Sequence, residues 1–214
     1  MIQAWASQKS FCSKDGSGGG DNVRGQKRTN KTHESTNDID ARLYKKSYSK
    51  EFKLGHLGHE LVENRNGLIA ATMLMHADGY TQRDAALLML EQEQWDRMQR
   101  ITFGAERAYD TKNFVIAAQE LNVTSHFAKN GKDRCSNLDR RTTRRPGYAV
   151  SLSRRWLIEK GFGWLKQPGP LRQVKLLGLK MVDWLCIFSF AAHNLIRLPK
   201  VMAQLPETLK QQYA

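Results

Sequence analysis

SLSRRWLIEKGFGWLKQ, residues Ser151 to Gln167, places its charged and apolar residues on different sides of a helix. At 100° per residue, Arg155, Glu159, Phe162 and Lys166 fall within about 60° of one another. Leu157, Trp164 and Leu165 lie on the opposite side and are expected to face a core. The spacing predicts one helix from about Ser151 to Lys166, ended by Pro168 and Pro170. Two readings of its charged face follow. Arg155 and Glu159, four apart, can form a surface ion pair. Alternatively, a carboxylate with a cation on either side can hold a divalent metal while the cations grip a phosphate backbone.

Upstream, GKDRCSNLDRRTTRRPGY (131–148) is a strongly basic loop containing Lys132, Arg134, Arg140, Arg141, Arg144 and Arg145. Before it, Ile101 to Phe103 and Val123 to Phe127 are short strands around a helix, about Thr111 to Leu121. That helix turns Phe114, Ala118 and Leu121 inward and stops at Asn122. Asp110, just ahead of it and three residues before Asn113, is expected as its N-cap. Thr81 and Asp84 resemble a capping box opening a helix to about Met98, with Ala85, Leu88, Met89 and Trp95 on one stripe. Glu51–Glu63 and Gly67–His76 flank the turn signal Asn64-Arg65-Asn66-Gly67 and read as a hairpin. Ser13 to Asp40, with almost no aliphatic residues, is expected to be a flexible loop. Ile2 to Ala6 reads as the end of a strand. Downstream, a last helix is expected from about Val174 to Leu198, stopped by Pro199. Strands first, then strand–helix alternation, then helices suggest a layered α/β or α+β domain.

The chain has 214 residues, and its 34 Lys plus Arg against 21 Asp plus Glu leave 34 − 21 = +13. With a pI near 9.8, this excludes acidic small domains and favours a polyanionic partner such as nucleic acid or an anionic membrane surface. The mean hydropathy of −0.60 fits a chain with a long polar segment. Cys12, Cys135 and Cys186 are odd in number and contain no CxxC, so a disulfide framework is not expected and a reducing compartment is. The apolar stretch Trp184–Ala192 is shorter than the roughly 20 residues of a bilayer span, and is expected to be a buried helix. The N-terminus lacks the apolar segment of a signal peptide. A soluble, cytoplasmic, basic protein is the expectation.

Other motifs rank lower. His56 and His59 form H-x-x-H, but on a strand they point to opposite faces. Gly16-Ser17-Gly18-Gly19-Gly20 has neither a preceding strand nor a following helix to make a phosphate cradle. Trp156 and Trp164 are expected to pack rather than stack on bases, and His193 to be a core or interface histidine.

Arg, three residues, Glu, six residues, Lys (Arg155, Glu159, Lys166) resembles the signature of the DDE transposases of bacterial insertion sequences, in particular the insertion-sequence-five group. IEKGFGWLK and AAHNLIRLPK share the resemblance. So do THESTNDIDARLYKK, GHELVENRNGLIAA, FGAERAYDTKNFV, LNVTSHFAKN and RRTTRRPGYAVS, in the same order along the chain. It covers Met1 to about Val201. The usual Tyr three residues before the Arg is Leu152 here. The resemblance implies a ribonuclease-H-like α/β catalytic domain, a mixed sheet flanked by helices, over 1–200, with a tail at 201–214. It also implies three carboxylates holding two Mg²⁺ ions for attack on a phosphodiester at the insertion-sequence ends. Glu159 matches the third carboxylate, with Arg155 and Lys166 as flanking cations. Glu106 stands where the family's second carboxylate is an Asp, and its extra methylene shifts the carboxylate by more than about 1 Å, enough to impair catalysis. The first Asp of the family lies just before the residues matching Ile2–Ser7, and the remaining acids Asp15 and Asp21 are no substitute. The expectation is therefore an N-terminally truncated, inactive copy with its first strand shortened. It would act on double-stranded DNA at the nucleoid, with a second copy or a full-length transposase as partner. The alternative is a non-catalytic DNA-binding or regulatory fragment.

Overall fold

The computed structural model describes residues 1–6, 8–14, 28–45, 49–77, 81–93, 98–129, 136–167 and 169–204. It is a mixed α/β fold, and the chain divides into two compact units built from interleaved segments. One comprises Met1–His59, Thr72–Thr81 and Gly163–His193; the other comprises Glu60–Ala71, Gln82–Phe162 and Asn194–Ala214.

The first unit is organised around a mixed sheet. Strand β1 (Ile2–Ala4) lies between β5 (Lys53–Val62) and β9 (Gln173–Val174), antiparallel to one and parallel to the other. Its short stretch is interior to the sheet, with Ile2 and Ala4 fully buried. β4 (Arg42–Tyr44) pairs with the other edge of β5, and β6 (Ile69–His76) also pairs with β5. A small antiparallel pair, β2 (Phe11–Ser13) and β3 (His33–Ser35), packs Phe11 with Ala4, Ala6, Ala41 and Leu54.

The polar segment from Ser13 to Asp40 is thus not a flexible loop in its described second half. His33–Ser35 is a strand, Ser10 and Ser35 hydroxyls pair at 2.9 Å, and Asp38 is buried. Hydrogen bonding supplies the order that apolar burial could not. Residues 15–27, including Asp15, Asp21 and the Gly16–Gly20 run, lie outside the described residues.

The expected hairpin is present. At its tip, Glu63 Oε1 and Oε2 accept from the Arg65 and Asn66 N–H groups, each at 2.7 Å. Gly67 takes φ 70°, a value that side chains disfavour. Asn194 then clasps Ile69, accepting its N–H at 2.9 Å and donating to its carbonyl at 2.8 Å.

In the second unit, β7 (Ile101–Ala105) and β8 (Val123–Phe127) run parallel, joined through α2 (Lys112–Glu120). Asn122, at φ 58°, ends the connection, as its helix-stopping character predicts. Phe114, Val115, Ala118, Val123 and Phe127 form the core there, together with Ala86 and Leu90 of α1 (Thr81–Glu93). The buried stripe of α1 is Ala85, Ala86, Met89 and Leu90; Leu88 is exposed, which corrects the expected stripe. Trp95 lies outside the described residues.

Two helix limits also differ from expectation. The segment predicted as one helix from Ser151 is two: α4 (Pro146–Arg154) and α5 (Trp156–Lys166). Proline opens α4 at a position where its missing N–H costs nothing. The last helix, α6 (Leu179–Ala203), begins five residues later than Val174 and continues through Pro199. Its start is set by acids: Leu179 N–H donates to Asp40 Oδ2 at 2.8 Å, and Gly178 N–H to Asp38 Oδ1 at 3.2 Å. Carboxylates there complement the helix dipole. Near its other end, the N–H that Pro199 lacks would have bonded the carbonyl of exposed Leu195, which solvent can satisfy.

The expectation of a buried final helix is corrected as well. Val182, Cys186, Ser189, Phe190 and His193 form a buried stripe, but Trp184, Ile187, Phe188, Leu195 and Ile196 are exposed. By length and composition α6 could cross a membrane, a test that core helices also pass.

Candidate nucleic-acid interface

The carboxyl ends of parallel strands are where α/β proteins place ligand-binding residues. Ala105 and Phe127 are partners in register at that end of β7 and β8. Glu106 follows Ala105 directly, is exposed, and leads into a single 3₁₀ turn, Arg107–Tyr109. Tyr109 leaves that turn inward to pack edge-on against Phe114, with centroids 5.4 Å apart. Burial raises its phenol above the usual range, and the Glu106 charge adds to the effect.

Asp110 is not the N-cap of α2. Thr111 is, without a side-chain bond. Asp110 Oδ1 instead accepts from the Asn137 backbone N–H at 2.9 Å and from Asn137 Nδ2 at 3.2 Å. A long-range partner has outcompeted the local cap.

Helix α4 is pinned to β8 by two polar contacts. Tyr148 OH donates to the Phe127 carbonyl at 2.6 Å, and Ser151 Oγ lies 2.8 Å from His126 Nδ1. Both side chains of the second pair are buried. Burial lowers the His126 pKa, and the Arg145 charge lowers it further, so the imidazole stays neutral. Neither Tyr148 nor Ser151 was a sequence candidate. Their only sequence signal is the position of a polar residue on the inward face of an amphipathic helix.

This anchoring fixes what precedes α4. Arg140 and Arg141 belong to α3 (Arg140–Thr143), a short helix rather than part of a loop, capped by Asp139 Oδ1 accepting from Arg141 N–H at 2.8 Å. Arg144 ends α3, and Arg145 is the N-cap residue of α4. All four arginines are exposed, and among the described residues none lies within 4.0 Å of a carboxylate. Four cations within six residues, without acidic partners, form a surface suited to polyanions. Lys132 and Arg134 lie outside the described residues.

Arg155 separates α4 from α5 while keeping helical dihedrals, φ −53° and ψ −31°. It is half-buried, its Nε is sealed without a hydrogen-bond partner, and its charge reaches Tyr148. No Arg155–Glu159 ion pair forms within 4.0 Å among the described residues, which removes the simple surface-pair reading. Glu159 sits exposed in the first turn of α5, and Lys166 is its last residue. On the inward side, Leu157 and Leu165 are buried, as expected.

Glu106 and Glu159 are the residues that could contribute to a magnesium site. Among the described residues, however, no three His, Cys, Asp or Glu side chains are grouped so as to hold a metal ion. The two carboxylates are exposed and do not belong to a three-ligand cluster, so the fit to Mg²⁺ is incomplete. His56 and His59 do not form a metal pair. His56 Nε2 faces Asp38, and His59 is buried separately. Trp156 is half-exposed beneath the Lys160 ammonium, 3.9 Å from its ring centre, rather than packed inside. Trp164 meets buried His193 edge-on at 5.4 Å.

Compared with known proteins, the chain matches no family model, no curated protein and no solved structure.

Proposed function

We propose that this chain is the catalytic domain of a DDE transposase of the insertion-sequence-five group, a ribonuclease-H-like domain that acts on the ends of a bacterial insertion sequence. Its sheet, with an interior first strand and flanking helices, is compatible with that fold. The observation that carries the reading is the run of exposed arginines, Arg140, Arg141, Arg144 and Arg145. It precedes the helix bearing Glu159, within the unit whose parallel strands end at Glu106. The ligand is the backbone of double-stranded DNA, with Arg155 and Lys166 as further cations. A second copy of the chain or a full-length transposase is the protein partner, in the bacterial cytoplasm at the nucleoid.

Glu106 and Glu159 would be ligands for Mg²⁺, whose chemistry is activation of water or a DNA 3′-hydroxyl. The reading is of a chain that grips DNA and does not cut it. The second reading, a regulatory DNA-binding fragment, is favoured by Glu106 standing where the family pattern has Asp.

Titration of a fluorescent DNA duplex at increasing salt tests both. The affinity should fall linearly on logarithmic axes, and each Arg→Gln change among the four arginines should lower the slope by about 1. A wild-type affinity independent of salt would refute the DNA reading. Mg²⁺-dependent strand cleavage abolished by Glu159→Gln would refute the inactive one.

A further inference from the structure

We propose that the first unit contains a separate phosphate-binding pocket, and that its occupant is the sugar–phosphate backbone of DNA. This rests on the DNA-binding reading above and extends it from Lys166 to cations and amides of the first unit. The pocket is a cavity of about 580 Å³ lined by Gln3, Lys53, Lys166, Gln167, Arg172 and Gln173. Three are cations and three are primary amides, and no described lining residue is acidic. Amide NH₂ groups, an ammonium and a guanidinium fork all donate hydrogen bonds, which suits phosphate oxygens.

The fold builds this cluster deliberately. Gln3 of β1 is in register with Gln173 of β9 on one side and with Gly55 of β5 on the other. Lys53, two residues from Gly55, points to the same face as its partner. Lys53 Nζ donates to Gln3 Oε1 at 3.4 Å. From the other side, α5 ends at Lys166 and the chain turns back sharply. Gly169 N–H donates to the Trp164 carbonyl at 3.3 Å and Leu171 N–H to the Leu165 carbonyl at 3.1 Å. The turn requires glycine, because a Cβ on Gly169 would stand 2.7 Å from the Leu165 carbonyl oxygen. The negative end of the α5 dipole opposes an anion. However, three of its last four carbonyls, those of Gly163, Trp164 and Leu165, are already bonded, and three full charges outweigh the half charge that remains.

The size and open rim leave room for a continuing backbone. The cavity is several times larger than one phosphate ion and falls within the range that holds nucleotide-sized groups. Exposed Lys53, Arg172 and Gln173 leave its rim accessible to a continuing strand. A backbone phosphate passing through would meet Lys166, which lies on the same helix as Glu159.

The test uses the full chain, a 5′-phosphorylated DNA duplex and sodium pyrophosphate as the free-anion probe. Lysine acylation read by mass spectrometry reports occupancy, with exposed Lys180 as control. DNA should protect Lys53 but not Lys180. The variant carrying Lys53→Gln and Arg172→Gln should bind at least tenfold more weakly near 50 mM salt, with a salt slope smaller by about 2. Both positions are exposed, so the variant should retain its melting temperature. Pyrophosphate protection without DNA protection would replace the DNA occupant by a free phosphate ester and overturn the proposal. If Arg140→Gln with Arg144→Gln weakens DNA binding while the pocket variant does not, and Lys53 stays unprotected, the pocket proposal fails and the DNA reading stands. A wild-type chain that binds no DNA at about 50 mM salt defeats both.

Discussion

His56 Nε2 lies 3.2 Å from Asp38 Oδ2, and both side chains are fully shielded from solvent. Burial lowers the His56 pKa even though Asp38 pulls it upward. The imidazole is therefore neutral, and with Nδ1 buried and unbonded, the Nε2–H tautomer donating to the carboxylate accounts for the pair. Asp38 Oδ1 meanwhile accepts from the Asp40 and Gly178 N–H groups, each at 3.2 Å. One carboxylate thereby joins the end of the polar segment, the sheet and the start of α6.

Asp38→Ala removes all three bonds, stranding the buried His56 imidazole and the part-buried Asp40 and Gly178 N–H groups. Losing the carboxylate from such a buried network should cost about 3 kcal/mol. Urea unfolding followed by circular dichroism measures this. A change below about 0.5 kcal/mol would mean that the pair contributes nothing to stability.

Acid should destabilise the protein through His59. Burial pushes its pKa from 6.5 down to about 4. The unfolded chain then binds a proton that the folded chain refuses, so stability is complete above about pH 6.5 and is lost as pH falls toward 4. The difference of about 2.5 units corresponds to about 3 kcal/mol. His56 shifts in the same direction and adds to it. Urea midpoints of wild type and His59→Leu, compared at pH 7 and 4.5, check this. The acid loss should be clearly smaller in the variant, and parallel losses would rule His59 out as the source.

Tyr148→Phe isolates the anchoring of α4. The ring stays in place against His126, 5.6 Å between centroids, and only the hydroxyl bonded to the Phe127 carbonyl is lost. A buried carbonyl left unpaired should cost about 1–2 kcal/mol. Unfolding free energy is the measurement, and an unchanged value would show that packing alone holds the helix.

The elements legible in the sequence are those specified locally. Asn64–Gly67 between two apolar runs is sufficient for a hairpin, and Asn122 is sufficient to stop α2. The order of the polar segment is not legible locally, because it comes from partners far along the chain. Asp38 bonds Gly178, 140 positions away, and no local composition signals that. Asp110 failed as a cap for the same reason, since Asn137 occupies its carboxylate. At the candidate site, the spacing of Arg155, Glu159 and Lys166 does not reveal the interruption between α4 and α5. The break falls at Arg155, where the sequence has neither Gly nor Pro. The exposed face of α6 was hidden too, because periodicity shows which residues are apolar but not which have something to pack against.

Glu159→Gln gives opposite results under the two roles open to that side chain. Glu159 is exposed near the arginine-rich helices in sequence, and it has no salt-bridge partner within 4.0 Å among the described residues. Without a metal, its negative charge repels a DNA backbone. At roughly 10 Å in water, removing one such charge should strengthen binding about twofold. As a metal ligand, the same substitution would instead abolish any affinity gained by adding Mg²⁺. The reading of a chain that grips DNA without cutting it corresponds to the first role. Duplex titrations in EDTA and in Mg²⁺ should therefore both show modestly tighter binding for the variant, with the gain shrinking as salt rises. A Mg²⁺-dependent increase in wild-type affinity that disappears in the variant would assign Glu159 to the metal after all.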